Sequence, residues 1–169
     1  MTLLGSLNIE ADLHNKVFDF DDWEVSEWVF KLFDKKWGSH TFDRFANSKN
    51  CKVEKLNSQF WTPGTSGVDA FVYDWSSDNN WLVPPVHCIP NVLKHMLFYK
   101  CVGTLVVPKW KYALFWPCIA LEHKFKWFVK DVIEYVKPKR LFSEGSHKER
   151  VFARSPFMSN VLVLKIDCR

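Results

Sequence analysis

Apolar positions along the chain change period several times, and each change marks an element. In "DFDDWEVSEWVFKLFDKKWG" (19–38) the apolar residues Val25, Trp28, Val29, Leu32 and Phe33 recur at helical spacing. Asp21 and Glu24 stand where a capping box would open this helix, and Gly38 stands where it would stop. The stripe predicts a helix laid on a sheet. "HTFDRF" (40–45) then reads as a short strand with a polar end, and "ANSKNCKVEKLNSQFWTPGTSG" (46–67) as a long polar loop closed by a Pro-Gly turn. Loops of this length in compact domains are commonly functional or disordered, so this one is a place to look for a site.

Beyond it the pattern alternates as α/β chains do. "NNWLVPP" (79–85) has the continuous apolar text of a strand buried on both sides. "IPNVLKHMLFYK" reads as a helix with Pro90 in its first turn, and "CVGTLVVP" as a second buried strand. "YALFWPCIALEHKF" predicts a helix broken at Pro117. "KWFVKDVIEYVK" (126–137) predicts an amphipathic helix with Phe128, Val132, Ile133 and Val136 inward. "KRLFSEG" and "SNVLVLKID" read as two strands joined through "SHKERVFARSPFM", a long hairpin closing the sheet. Strand–helix–strand order implies α/β architecture: a mostly parallel sheet, "LVPP" and "TLVVP" as neighbouring central strands, helices on both faces and an antiparallel edge hairpin.

Composition narrows the class without naming a function. With 169 residues, 47% hydrophobic and 17% aromatic, the chain has material for one ordinary core. No apolar run approaches the roughly 20 residues of a membrane helix, and "MTLLGSLNIEADLH" has no cationic start or signal core. An intracellular chain, in cytoplasm or nucleus and without a membrane partner, is the expectation. Cys51, Cys88, Cys101, Cys118 and Cys168 are odd in number and scattered, with no zinc spacing, so reduced thiols and no metal are expected. The net charge of +4 is compatible with a nucleic-acid partner.

The candidate chemistry gathers at strand ends, where open α/β sheets bind ligands. Asp43 ends "HTFD" and Asp74 ends "VYD". Asp43 is suited to a ribose or an amino group and Asp74 to an adenine edge, and either can equally cap a turn or helix. In "LVPPV", Val83 and Val86 flank Pro84 and Pro85. Cations collect in 124–140 at Lys124, Lys126, Lys130, Lys137, Lys139 and Arg140, which read either as a nucleic-acid-facing surface or as a solvated helix face. Of the nine tryptophans, Trp28 and Trp81 lie on apolar stripes and are expected in the core, whereas Trp61 and Trp110 lie in loops from which they can stack on bases.

Taken in order, these motifs resemble the phage-type Dam DNA adenine N6 methyltransferases over about residues 22–167. They resemble more closely the degenerate Dam-like segment that follows the RNase H region in polyproteins of DIRS-type, tyrosine-recombinase retrotransposons. The short "NIEAD" near the start is similar to an RNase H domain end, with Asp12 at the position of its last active-site carboxylate. The resemblance implies two units, a remnant of an RNase H end in 1–20 and a Dam-like, Rossmann-like methyltransferase-type domain in 21–169. It also implies a reading frame that continues upstream into RNase H and reverse transcriptase, with DNA or RNA and other retroelement proteins as partners.

Carried over position by position, the resemblance places Asp43 at S-adenosylmethionine, followed by Arg44 and Phe45 where the family has small residues. Asn47 and Asn50 match polar positions of the same loop, and Asp74 with Trp75 matches the "DW" turn. Pro84 and Pro85 match the motif prolines. Val83 stands in place of the Asp or Asn that accepts from the adenine amino group, and Val86 in place of the aromatic that stacks on the flipped base. The resemblance with these substitutions implies a catalytically degenerate domain without a cofactor, kept as a nucleic-acid-facing or structural module. Two alternatives stand beside it: an active S-adenosylmethionine-dependent adenine methyltransferase with an atypical site, in which His87 takes over a role, and a host-recruited protein interaction module.

Overall fold

The computed structural model describes residues 24–143 and 159–169. The expected RNase H remnant at 1–20, Asp12, the capping residue Asp21 and most of the 139–158 connection lie outside these residues. Within them the chain is mixed α/β, and its central sheet has the order β1 (Phe42–Asp43), β4 (Asn79–Leu82), β5 (Val102–Pro108), β9 (Val161–Asp167), β8 (Val129–Tyr135). β1, β4 and β5 pair in parallel, β9 runs antiparallel to β5, and β8 runs antiparallel to β9. Four of the five strands therefore share one direction, with β9 reversed between them. The expected neighbours "LVPP" and "TLVVP" are paired from Asn79 opposite Val102 to Leu82 opposite Leu105.

Helices cover both faces. On one face α1 (Glu27–Lys36) buries Val29, Phe30 and Phe33 against Trp81, Val83, Val106, Val161 and Val163. On the other, α2 (Ile89–Tyr99) buries Ile89, Val92, Leu93 and Met96 against Leu82, Leu105, Leu162, Leu164 and Ile166. The alternation of β9 explains its place: Val161 and Val163 point to one cluster and Leu162, Leu164 and Ile166 to the other, so both faces need cover. α2 opens with Pro90 in its first turn, as expected, and closes on Lys100 in the left-handed region at φ 54°.

Three expectations are corrected. The stretch read as an amphipathic helix is the edge strand β8, preceded by a two-stranded hairpin of β6 (Ala120–Leu121) and β7 (Lys124–Phe125). The cause is a register irregularity between Val129 and Asp131, which leaves Lys130 as an extra residue. Val129 and Val132, three apart, thereby reach one core, while Ile133 and Tyr135 reach the other. A bulged strand half-buried on both sides thus imitates helical spacing, and its β-branched content was the contrary signal.

Second, β9 is interior rather than an edge, its hairpin partner is β8, and the described part of "KRLFSEG" forms an isolated bridge from Phe142 to Val25. Third, Pro117 does not break a helix. It sits in the first turn of the four-residue α3 (Trp116–Ile119), where a missing amide costs nothing.

The 46–67 segment folds back beside β1. Asp43 bridges Leu56 in parallel, and β2 (Asn57–Ser58) pairs with β3 (Gly67–Val68). On α1, Trp28 and Leu32 are largely exposed despite their place in the stripe. The helix is turned toward Phe30 and Phe33, which meet Trp81 and Tyr135 edge-on, and Trp28 is held from outside by Nε1 donating to Arg140 O at 3.0 Å.

Candidate site at the strand ends

Parallel strands β1 and β4 end side by side, and beyond them lies a crevice of about 230 Å³ open to solvent. Its lining is Glu24, Val25, Asp43, Phe45, Asn50, Lys52, Trp81 and Val83. Nearly all of that space is open solvent; the room it encloses is about 10 Å³, on the order of one water and far short of the roughly 300–1,000 Å³ typical of small-molecule sites. Asp43 is 3% exposed, and burial pushes its carboxyl up to about 7. Hydrogen bonds from the backbone amides of Lys52 and Phe45, and the Lys52 charge, act against that rise without cancelling it. The Lys52 amide donates to Asp43 Oδ2 at 3.0 Å.

Lys52 is the residue the sequence hides. Its side chain is 7% exposed, with Nζ 3.4 Å from Glu24 Oε1 and 3.7 Å from Glu27 Oε2. A lysine in a polar loop is ordinarily solvated, and no local signal separated this one from Lys49 or Lys55. Chemically the crevice offers a carboxyl that exchanges a proton near neutrality, an ammonium and a second carboxylate, already paired with one another.

Arg44 turns away from the crevice into a buried polar network, and Phe45, which lines the crevice, also packs against α2's core. Arg44 Nε donates to Asn80 Oδ1 at 2.7 Å, Nη1 to Asn57 Oδ1 at 2.9 Å and Nη2 to Asp78 Oδ2 at 2.8 Å. Its guanidinium lies 3.5 Å from the centre of the Phe42 ring. Burial lowers Arg44 to about 10, opposed by Asp78, so it remains charged at neutral pH. Asn80, fully buried, passes its two amide hydrogens to the carbonyls of Trp75, Asp78 and Val102. A buried asparagine in an apolar strand was a legible sign that such partners exist. Phe45 packs edge-on against Phe71 and Trp75, with centroids 5.6 and 6.1 Å apart.

The structure brings Asp43 and Val83 together and leaves Asp74 out. Asp43 pairs with Trp81, on α1's face of the sheet, whereas Asp74 belongs to the turn before Trp75, whose ring packs on α2's His95 at 4.2 Å. Asp74 is exposed and accepts from the Ser76 amide at 2.7 Å, a bond that holds its carboxyl below the usual range. Val83 is buried in α1's cluster, Pro84 is buried, and Val86 opens the 3-10 turn Val86–Cys88 and packs against both cores. His87 is exposed in that turn. Asn47 and Asn50 cap one another's turn, Asn47 N donating to Asn50 Oδ1 at 2.7 Å.

The six cations do not share one face. Lys124, Lys126 and Lys130 gather around the β6–β7 hairpin and the start of β8, while Lys137, Lys139 and Arg140 follow its far end, roughly 20 Å away at strand rise. Trp61 is exposed in its loop, as expected. Trp110 is instead partly buried against both cores, with Nε1 donating to Ser159 Oγ at 3.0 Å. The five cysteines are free, and no group of three or more metal-ligating side chains occurs among the described residues. No described helix is long and apolar enough to cross a membrane. The chain matches no family model and no curated protein.

Proposed function

We propose that this chain is a non-catalytic Dam-like methyltransferase-fold domain of retrotransposon origin, retained to face nucleic acid. One observation carries the catalytic half of the reading: the strand end that resembles the adenine-binding motif is apolar and closed. Val83 sits 8% exposed against α1, beside Trp81, and has no atom to accept an amino hydrogen. Val86 supplies no ring on which a flipped base can stack.

The residues present do not fit S-adenosylmethionine. Asp43, which the resemblance places at the cofactor, lines the crevice on α1's face, whereas Asp74 of the matching "DW" turn stands beside Trp75 on α2's face, so the two do not share one site. Asp43 serves instead as a staple, holding the Lys52 and Phe45 amides so that the 46–56 segment lies against β1. The single reversed strand in an otherwise one-directional sheet supports a methyltransferase-like scaffold.

The alternative, an active adenine methyltransferase, draws on one feature: a carboxyl near neutrality is suited to proton transfer, and Asp43 is such a group. A labelled-methyl transfer assay on unmethylated duplex DNA separates the two. The non-catalytic reading expects no transfer above a chain-free control, and none after Val83→Asn with Val86→Tyr. Robust transfer by the unmodified chain would promote the enzyme.

A further inference from the structure

The β6–β7 hairpin and the strand start beside it set exposed rings and lysines on backbone that is tied to the core. Leu121 pairs with Lys124 across a two-residue turn, Glu122–His123, in which Glu122 takes φ 55°. The Lys126 amide donates to Ile119 O at 2.9 Å, and the Val129 amide to Lys126 O at 3.0 Å. Next along the chain, Phe128 is buried, and its carbonyl accepts from the Asp167 amide at 2.9 Å. This backbone is pinned to the core on both sides of Trp127.

Yet Trp127 is 62% exposed. Phe125 and Leu121 are exposed with it, and Trp116 meets Phe125 edge-on at 6.3 Å. Lys130 Nζ stands 5.3 Å from the centre of the Trp127 ring, within cation–π range. Residues 121–130 hold three lysines against one glutamate, and neither Lys124 nor Lys126 has an ion pair among the described residues. Asp131, the next acid, faces the other side of the sheet, where Trp37 Nε1 donates to it at 3.3 Å.

Exposed rings on a rigid backbone, with Lys124 and Lys126 close by in the chain and Lys130 lying over Trp127 and within the field of Asp167, match an anionic strand whose bases are free to stack. We infer that this hairpin is a binding platform for single-stranded nucleic acid, with bases on Trp127 and Phe125 and phosphates on Lys124, Lys126 and Lys130. A duplex keeps its bases inside the stack, where these rings do not reach them, so the platform distinguishes single strands from double. An acidic peptide satisfies the lysines and leaves the rings without a role. The inference rests on the nucleic-acid-facing half of the proposed function and is independent of its catalytic half. The platform lies at the N-terminal end of β8, opposite the strand ends around Val83.

The test is fluorescence anisotropy of labelled single-stranded DNA and RNA of about 16 nucleotides, with a duplex of equal length and polyglutamate as competitors. Trp127→Ala is expected to weaken single-strand binding about 5- to 100-fold, the equivalent of one lost base stack, while Trp127→Phe keeps most of it. Because Trp127 is exposed, circular dichroism of both variants is expected to match that of the parent. Joint replacement of Lys124, Lys126 and Lys130 by Gln is expected to flatten the slope of log affinity against log salt by about 2. Joint replacement of Lys137, Lys139 and Arg140 is expected to leave single-strand binding unchanged.

Duplex binding that depends on Lys137, Lys139 and Arg140 but not on Trp127 would overturn the hairpin platform and keep the nucleic-acid reading. Competition by polyglutamate equal to that by the oligonucleotide, with no effect of Trp127→Ala, would overturn it in favour of an acidic protein partner. Absence of binding to every strand at low salt would overturn both, and leave the methyl-transfer result standing on its own.

Discussion

Two regions at opposite ends of one sheet treat polar groups in opposite ways. On the β1–β4 side, Asp43, Arg44, Lys52 and Asn80 are taken inside and each is satisfied by the protein itself. Around the β6–β7 hairpin, Lys124, Lys126 and Trp127 stay at the surface while the backbone beneath them is tied down. Groups committed to one another are unavailable to a ligand, so position at a strand end is not by itself evidence of a site. The hairpin holds the uncommitted chemistry although its sequence reads as an ordinary lysine-rich surface.

The largest expected effect breaks the interior side of this contrast. Arg44→Met removes a buried cation from Asp78, Asn80 and Asn57 and leaves Asp78 Oδ2 and the two amide oxygens without their Arg44 donors, so unfolding in urea is expected to show a loss of about 3–5 kcal/mol. A loss below about 1 kcal/mol would mean that the network is not structural. Gly103→Ala probes the same region through the backbone. A Cβ there lies 2.5 Å from Asn80 O, so β4 and β5 must separate, at an expected cost of about 1–3 kcal/mol.

Asp43 gives the contrast a pH dependence. Its folded value, about 7, lies above the ordinary carboxylate value of 3.8, so the folded state holds the extra proton between those limits. Asp43 therefore lowers stability as pH rises from about 4 through 7, by an amount on the order of a few kcal/mol. His40 opposes it. Burial lowers the ring despite the Asp34 carboxylate 2.8 Å away, so its share of stability is full above 6.5 and is lost as pH falls below that. Asp43→Asn is expected to remove the decline toward pH 8 and leave the acid-side loss intact, as read from urea midpoints across the range. An unchanged profile would show that Asp43 is ionised in the folded state.

At the hairpin the same kind of measurement is expected to give almost nothing. Trp127→Ala removes a mostly exposed ring whose contacts are Phe128, edge-on at 5.8 Å, and the Lys130 ammonium, and a stability change within about 0.5 kcal/mol is expected. A loss above 2 kcal/mol would make Trp127 part of the core and end the contrast.

Much of this was written in the chain, in particular places. The apolar text of 79–85 and 101–108 specified two buried, adjacent parallel strands, because burial on both faces leaves little choice of register or neighbour. The pattern of 126–137 misled because one bulged residue, Lys130, shifts the strand's two faces into helical spacing. Asp74 followed the ordinary fate of a loop aspartate, a turn cap. Lys52 was hidden because its burial depends on Glu24 and Glu27, carried by the start of a helix about 25 residues earlier. The hairpin's aromatic and basic composition was visible, but its exposure was not, since exposure follows from which side of β8 packs on the core.

The proposed function requires that internal packing stands at this strand end in place of a cofactor site, and isothermal titration calorimetry with S-adenosylmethionine tests it most directly. The expected result is no saturable heat at cofactor concentrations up to about 1 mM, for the parent chain and for Val83→Asn with Val86→Tyr alike. Saturable binding in the micromolar range, abolished by Asp43→Ala in a variant that stays folded, would contradict it.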